Sequence, residues 1–140
     1  MPAHLWMPFA AAWLAAADDA DLQKLQGTWQ RVSIVLDGKE ASEDEAKKQQ
    51  LTIKEADYTL RIGEQSREGT LQLDSTKKPK EINIKSASGP NKGKILKGIY
   101  EIDGDTLKYC VAPPGKDRPT DFTSKPGSGH MLYINKKVKP

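Results

Sequence analysis

KILKGIYEIDGDTLKYCVA, residues Lys94–Ala112, carries the clearest pattern in the chain and predicts a β-hairpin. Asp103-Gly104 is a two-residue turn signal, because a type I′ turn needs positive φ at both central positions and these residues tolerate it. With that turn, three cross-strand pairs share an apolar face: Tyr100 with Leu107, Gly98 with Tyr109, and Leu96 with Val111. The other face is mostly polar. The hairpin is therefore a one-sided antiparallel unit that needs a partner layer.

Apolar residues alternate with polar ones on both sides of the hairpin, as in half-buried strands. Further strands are predicted around residues 29–36, 51–53, 58–62, 66–74, 82–84 and 130–138. About eight short antiparallel strands separated by tight turns indicate an all-β up-and-down barrel or a sandwich. We favour the barrel, because closure leaves no exposed strand edge.

One or two short helices are expected beside the strands. In residues 18–26, Leu22 and Leu25 are spaced to face one side, which is typical of a helical turn that closes one end of a barrel. Residues Ser42–Gln50 predict a second helix, because Ser42 and Glu45 have the spacing of a capping box. This second helix has almost no apolar face and is expected to be an exposed connector.

The first strand contains a parity conflict. Val32, Ile34 and Leu36 alternate on one face, whereas Trp29 has the opposite parity. A bulge after Trp29 would be needed to bring all four side chains inside.

The N-terminus differs in composition from the rest of the 140 residues. Leu5–Ala17 reads LWMPFAAAWLAAA, without charge, and its small residues end before Asp18. This pattern is typical of an export signal and is too short to span a bilayer, although no Lys or Arg precedes it. We therefore predict a signal peptide over residues 1–17 and one domain over residues 18–140. The alternative is an apolar helix packed on that domain.

Charge and reactive side chains exclude several function classes. The net charge is only +3 and Lys is interspersed with Glu, so the charge distribution does not indicate nucleic-acid binding. Cys110 is the only cysteine, and His130 is the only histidine after residue 17, so no metal site is predicted. A catalytic triad would have to combine His130 with loop residues that lack a nucleophile elbow: Ser124 or Ser128, and Asp117 or Asp121. No catalytic residue and no cofactor are predicted.

The proline-rich loop over residues 113–129 is unusually long for a compact domain. We expect Arg118 to pair with Asp121 while Phe122 anchors the loop on the barrel. The alternative is that the loop closes a barrel mouth, with Arg118 meeting an anionic ligand group.

Four tyrosines in predicted strands are candidates for lining a cavity or for simple wall positions: Tyr58, Tyr100, Tyr109 and Tyr133.

Several segments resemble known families. LQGTWQRVS, with its Gly27-x-Trp29 motif after a helical turn, resembles the start of lipocalins. The segments LDSTKKPKEI, SGPNKGK, GIYEIDGDTLKYCVA and PGKDRPTDFTSKPGSGHMLYI resemble a family of small lipocalin-like domains abundant in planctomycete bacteria. The resemblance covers Leu22 to Lys137. It implies an exported bacterial protein with a lipocalin-like β-barrel, and it brings no catalytic residues.

The resemblance also implies a structural role for Gly27 and Trp29. In lipocalins this Trp packs at the closed end beneath an Arg or Lys of the last strand, in a cation–π contact. The last strand here has no Arg, so the partner would be Lys136 or Lys137.

Together these observations predict an exported, periplasmic or extracellular, non-enzymatic binding module. Its barrel would take a small apolar or amphipathic molecule, and it would be a monomer that neither binds nucleic acid nor spans a membrane. The candidate ligand contacts are Tyr100, Leu107, Tyr109, Arg118 and Phe122. The alternative is a filled barrel that serves a structural role or binds an extracytoplasmic protein, for example as an inhibitor of an extracellular enzyme.

Overall fold

The structure is a computed structural model that describes residues 16–139. Most of the predicted signal peptide, residues 1–15, lies outside the described residues. Within the described residues, the helices are α1 (Ala16–Leu25) and α2 (Glu43–Lys47). The strands are β1 (Gly27–Leu36), β2 (Lys39–Glu40), β3 (Gln49–Lys54), β4 (Asp57–Ile62), β5 (Gln65–Asp74), β6 (Lys80–Ser86), β7 (Ile95–Asp103), β8 (Thr106–Val111) and β9 (Met131–Lys137).

Eight of these strands form a closed antiparallel barrel. From β3 to β9 each strand pairs with the next in sequence, and β1 closes the ring by pairing with both β3 and β9. The short β2 adds a ninth strand to the end of β1. The predicted up-and-down, lipocalin-like all-β barrel is confirmed, and closure removes the edges that an open sheet would expose. Among the described residues, no helix combines the length and apolar character needed to cross a membrane.

The predicted bulge in β1 is present. Its pairing with β9 shifts between Arg31 and Ser33, so Val32 is the extra residue. Trp29 and Ile34 are buried, but Val32 and Leu36 remain 48% and 43% exposed. The prediction of a bulge is therefore confirmed, although it brings only two of the four apolar side chains inside.

The hairpin register differs from the prediction by two residues. Tyr100 pairs with Tyr109 and Asp103 with Thr106, so the central turn residues are Gly104 and Asp105. Gly104 is therefore the first central residue of the turn. Its φ of 57° matches a type II′ turn, which has a glycine at this position. This register pairs Ile102 with Leu107 instead of with a charged Asp105. A shift of two preserves parity, so the apolar face keeps its predicted members.

The second helix is shorter than predicted. Ser42 caps α2, accepting a hydrogen bond from the Glu45 amide as the capping box predicts. The helix ends at Lys47, because Gln49 and the residues after it pair with β4 as strand β3. Ala46 is its buried contact with the domain.

The loop after β8 covers the outer wall of the hairpin. It buries Ile99 and Cys110, which alternate with the interior-facing residues. The Cys110 thiol donates to the Thr123 carbonyl at 3.5 Å, and burial raises its pKa to about 11. Cys110 is therefore an unreactive packing residue.

Candidate ligand-binding cavity in the barrel

The barrel encloses a cavity of about 160 Å³. Side chains from β3 to β7 form an aliphatic wall: Leu51, Ile53, Leu60, Leu71, Ile82, Ile84 and Leu96. The wall from β1, β8 and β9 contributes Arg31, Leu107, Tyr109, Val111, Met131 and Tyr133. The interior is therefore mostly aliphatic on one side, where Tyr58, Arg67 and Ser86 are the polar exceptions, and carries Arg31, Tyr109 and Tyr133 on the other.

Helix α1 closes one end of this cavity. Its Leu25 is buried and reaches the cavity floor. The Trp29 indole N–H donates to the Leu25 carbonyl at 2.9 Å, which ties β1 to the helix. Lys137 lies with Nζ 5.0 Å from the centre of the Trp29 ring and donates to the Gln26 carbonyl. The predicted cation–π contact is confirmed, with Lys137 as the partner.

A second polar contact fixes α1 to the barrel. The Asp21 carboxylate accepts from the Tyr100 hydroxyl at 2.6 Å and from Lys80 Nζ at 3.0 Å. Burial acts to raise the pKa of Asp21, but hydrogen bonds from Tyr100 and Lys80 outweigh it and hold the pKa below its ordinary value. The carboxylate is therefore ionised at neutral pH, and α1 is held in place by a charge-assisted network.

Arg31 is the unexpected feature of the interior. It is only 2% exposed and lines the cavity. Its Nη1 donates to the Tyr109 hydroxyl at 2.5 Å and to Asn135 Oδ1 at 3.0 Å, and its Nε donates to Gln49 at 3.3 Å. The guanidinium carbon lies 3.9 Å from the centre of the Tyr133 ring. Four strands thus position one buried cation.

A second arginine lies toward the open end. Arg67 lines the cavity from β5, and its side chain passes close to Gly89 in the β6–β7 loop. The same loop brings Ser88, Pro90 and Asn91 to the cavity. Because Ser88, Pro90 and Asn91 are all partly or fully exposed, this end is the mouth.

The cavity is cationic. Arg31 and Arg67 line it, and no Asp or Glu is among the described residues that do so. Burial raises the pKa of Tyr133 to about 12, while the charges of Arg31 and Arg67 oppose that shift. The Tyr133 hydroxyl therefore keeps its proton at neutral pH and is a hydrogen-bond donor there.

The residues predicted as ligand contacts separate into two groups. Leu107 and Tyr109 line the cavity. Tyr100 is buried in the core, but its hydroxyl is directed to Asp21 on α1. Of the other tyrosines, Tyr58 and Tyr133 also line the cavity.

Arg118 and Phe122 lie on the outer wall. Arg118 donates to the Ile82 and Gly98 carbonyls at 3.1 and 2.9 Å and pairs with Glu81 at 3.4 Å. The expected pair with Asp121 is wrong, because Glu81 takes that place. Phe122 lies beneath Lys108 Nζ, 4.7 Å from its ring centre, and Lys108 faces outward between Leu107 and Tyr109. The loop is anchored as predicted, and neither Arg118 nor Phe122 reaches the cavity.

The loop hydroxyls considered for catalysis have structural partners. Ser124 Oγ donates to the His130 carbonyl and accepts from the Gly38 amide. Ser128 Oγ donates to the Lys125 carbonyl and accepts from the His130 amide. These contacts use the backbone of His130 and shape the loop. Over residues 16–139, no group of three His, Cys, Asp or Glu is placed to hold a metal.

Sequence reasoning missed Arg31 and Arg67. The sequence does indicate the position of Arg31. Arg31 follows Trp29 by two residues, and residues two apart in a strand lie on the same face. An interior Trp29 therefore predicts an interior Arg31, provided that the bulge comes after it. Arg67 lies in the sequence QSREG, which has no apolar alternation to mark its interior side.

Comparison of the chain with protein-family models, with curated proteins and with solved structures finds no match.

Proposed function

We propose that this protein is a binding module that takes a small apolar or amphipathic molecule into its barrel. The observation that carries the proposal is the cavity of about 160 Å³ on the barrel axis, between α1 and the β6–β7 loop. Protein interiors are close-packed, and voids larger than a water molecule are few. An engineered apolar cavity of about 150 Å³ binds benzene, so this cavity suits a ligand body the size of one ring.

The open mouth supports the same proposal. A ligand needs a path from solvent, and the partly exposed Ser88 and the exposed Pro90 border the cavity at the end opposite α1. The closed end is stabilised separately by Trp29, Lys137 and Asp21. A rigid floor and an accessible mouth are the arrangement of a preformed pocket.

A neutral probe and one filling variant test this function. We expect toluene to shift the backbone amide NMR resonances of cavity-lining residues in the wild-type protein. Leu96→Trp should abolish these shifts, because Leu96 is buried and lines the cavity. Ile95→Trp is the matched control: Ile95 is the adjacent residue, 47% exposed, and faces outward.

Unchanged resonances in the wild-type protein at saturating toluene would contradict the proposal. Equal shifts in both tryptophan variants would show binding outside the barrel and would also contradict it. Either result favours the alternative of a barrel that acts through its surface as a structural or protein-binding domain.

We further propose that the protein is exported and related to the planctomycete lipocalin-like domains that it resembles. The uncharged segment before Asp18 supports export. Native mass spectrometry of protein recovered from its own organism should give a mass for a chain that begins at Asp18, together with a retained small molecule. A full-length chain found in the cytoplasm would contradict export.

A further inference from the structure

We propose that the ligand is an amphipathic monocarboxylate whose carboxylate binds Arg31 while its apolar body packs against the aliphatic wall. This inference rests on the ligand-binding function proposed above and specifies the chemistry of the ligand. Arg31, Tyr109 and Tyr133 form the carboxylate subsite. Arg67 supplies a second positive charge toward the mouth.

Arg31 has unused donors in the described chain. Its Nη1 and Nε hydrogens are directed to Tyr109, Asn135 and Gln49, but Nη2 donates to no acceptor within residues 16–139. No Asp or Glu of these residues lies within ion-pairing distance of Arg31, since the described ion pairs involve other groups. A buried charge without a counter-charge is costly, and an anionic ligand would offset that cost.

The geometry around Arg31 leaves N–H groups at the edge of its guanidinium available to a ligand. The guanidinium lies over the face of Tyr133, so its N–H groups are directed outward in the plane of the guanidinium. The Tyr109 hydroxyl accepts from Nη1, which leaves its own proton to donate, and no acceptor for that proton is found in the described residues. Two N–H groups and one O–H group match the two oxygens of a carboxylate.

The rest of the cavity limits the ligand further. Most of the remaining lining is aliphatic, and its few polar groups on β4 to β6 are Tyr58, Arg67 and Ser86, so a single anionic head on an apolar body is the best fit. The Arg67 side chain makes no hydrogen bond or ion pair within residues 16–139, whereas its backbone pairs with Leu60 in the sheet. It adds positive potential along the entry path, which favours an anion over a neutral or cationic molecule.

Two probes of the same shape test this inference on the wild-type protein. We expect 3-phenylpropionate to bind roughly tenfold or more tightly than 3-phenylpropanamide, as measured by NMR titration at pH 7 and low salt. Equal affinity of the amide would overturn the carboxylate assignment and leave the ligand-binding function standing. If neither probe nor toluene entered the cavity, both proposals would be overturned.

Arginine variants locate the anion. Arg31→Gln should weaken 3-phenylpropionate binding roughly 10- to 100-fold and change amide binding little, because it removes charge-assisted hydrogen bonds. Arg67→Gln should have a smaller effect in the same direction. Arg61→Gln is the matched control, since Arg61 is exposed on β4 and the change in net charge is the same.

Stability decides how the Arg31 result is interpreted. Thermal unfolding and the amide NMR spectrum establish that Arg31→Gln is folded before it is titrated. An unchanged affinity of folded Arg31→Gln for 3-phenylpropionate would overturn the inference. If this variant does not fold, the comparison of the two probes on the wild-type protein still decides the question.

Discussion

Replacement of Trp29 by alanine is expected to lower the free energy of unfolding by about 3–5 kcal/mol. Trp29 is fully buried, and its removal would leave a void between α1 and the barrel floor. It would also leave the Leu25 carbonyl without the indole N–H and would remove the aromatic face beneath Lys137. Urea unfolding followed by far-ultraviolet circular dichroism measures the change.

Two further variants separate the contributions at this site. Trp29→Phe keeps most of the apolar volume and loses the hydrogen bond, so a smaller loss of about 1–2 kcal/mol is expected. Val32→Ala on the same strand should change stability by no more than about 0.5 kcal/mol, because Val32 is largely exposed. If Trp29→Ala were as stable as Val32→Ala, Trp29 would not be the anchor of the closed end.

Gly98→Val is expected to destabilise the barrel by about 3 kcal/mol, the upper end of the usual range for overpacking. A Cβ at Gly98 would lie 2.6 Å from the Cys110 carbonyl oxygen and would overlap Cγ1 of Val111. Because the first of these atoms belongs to the backbone, β7 and β8 would have to move apart. The same movement would disturb the carbonyl of Gly98 that accepts from Arg118.

The control for this substitution is one residue away. Lys97→Val introduces the same side chain on the same strand, but Lys97 is exposed and faces outward. Its urea midpoint should stay within experimental error of the wild type or rise slightly, since valine favours strands. Equal midpoints for Gly98→Val and Lys97→Val would show that the two strands tolerate a side chain at this pairing.

The site was only partly accessible to sequence reasoning. Leu107 and Tyr109 follow from alternation in β8, because parity alone assigns their side chains to the interior. Arg31 contacts Tyr109 and Asn135, which lie 78 and 104 residues away in sequence. Local patterning cannot show that such distant polar groups converge to solvate a buried charge. For that reason a charged residue in β1 was not expected inside.

Arg118 illustrates the converse error. Its position in a long loop suggested a ligand contact or a local pair with Asp121. The structure instead directs it to Glu81 and to two strand carbonyls, because the loop lies along the outer wall. The path of a loop depends on the surface beneath it, which is assembled from strands remote in sequence.

Local sequence patterning is sufficient to predict the eight barrel strands, the inward face of the hairpin, the bulge in β1 and the capped start of α2. These features arise from interactions between neighbouring residues and from the period of two along a strand. The hairpin register depends on the three-dimensional fold, because a shift of two leaves every face unchanged and only the opposing strand distinguishes the alternatives. The same holds for the closure of β1 on β9 and the cationic cavity around Arg31, which exist only when strands from both ends of the chain come together.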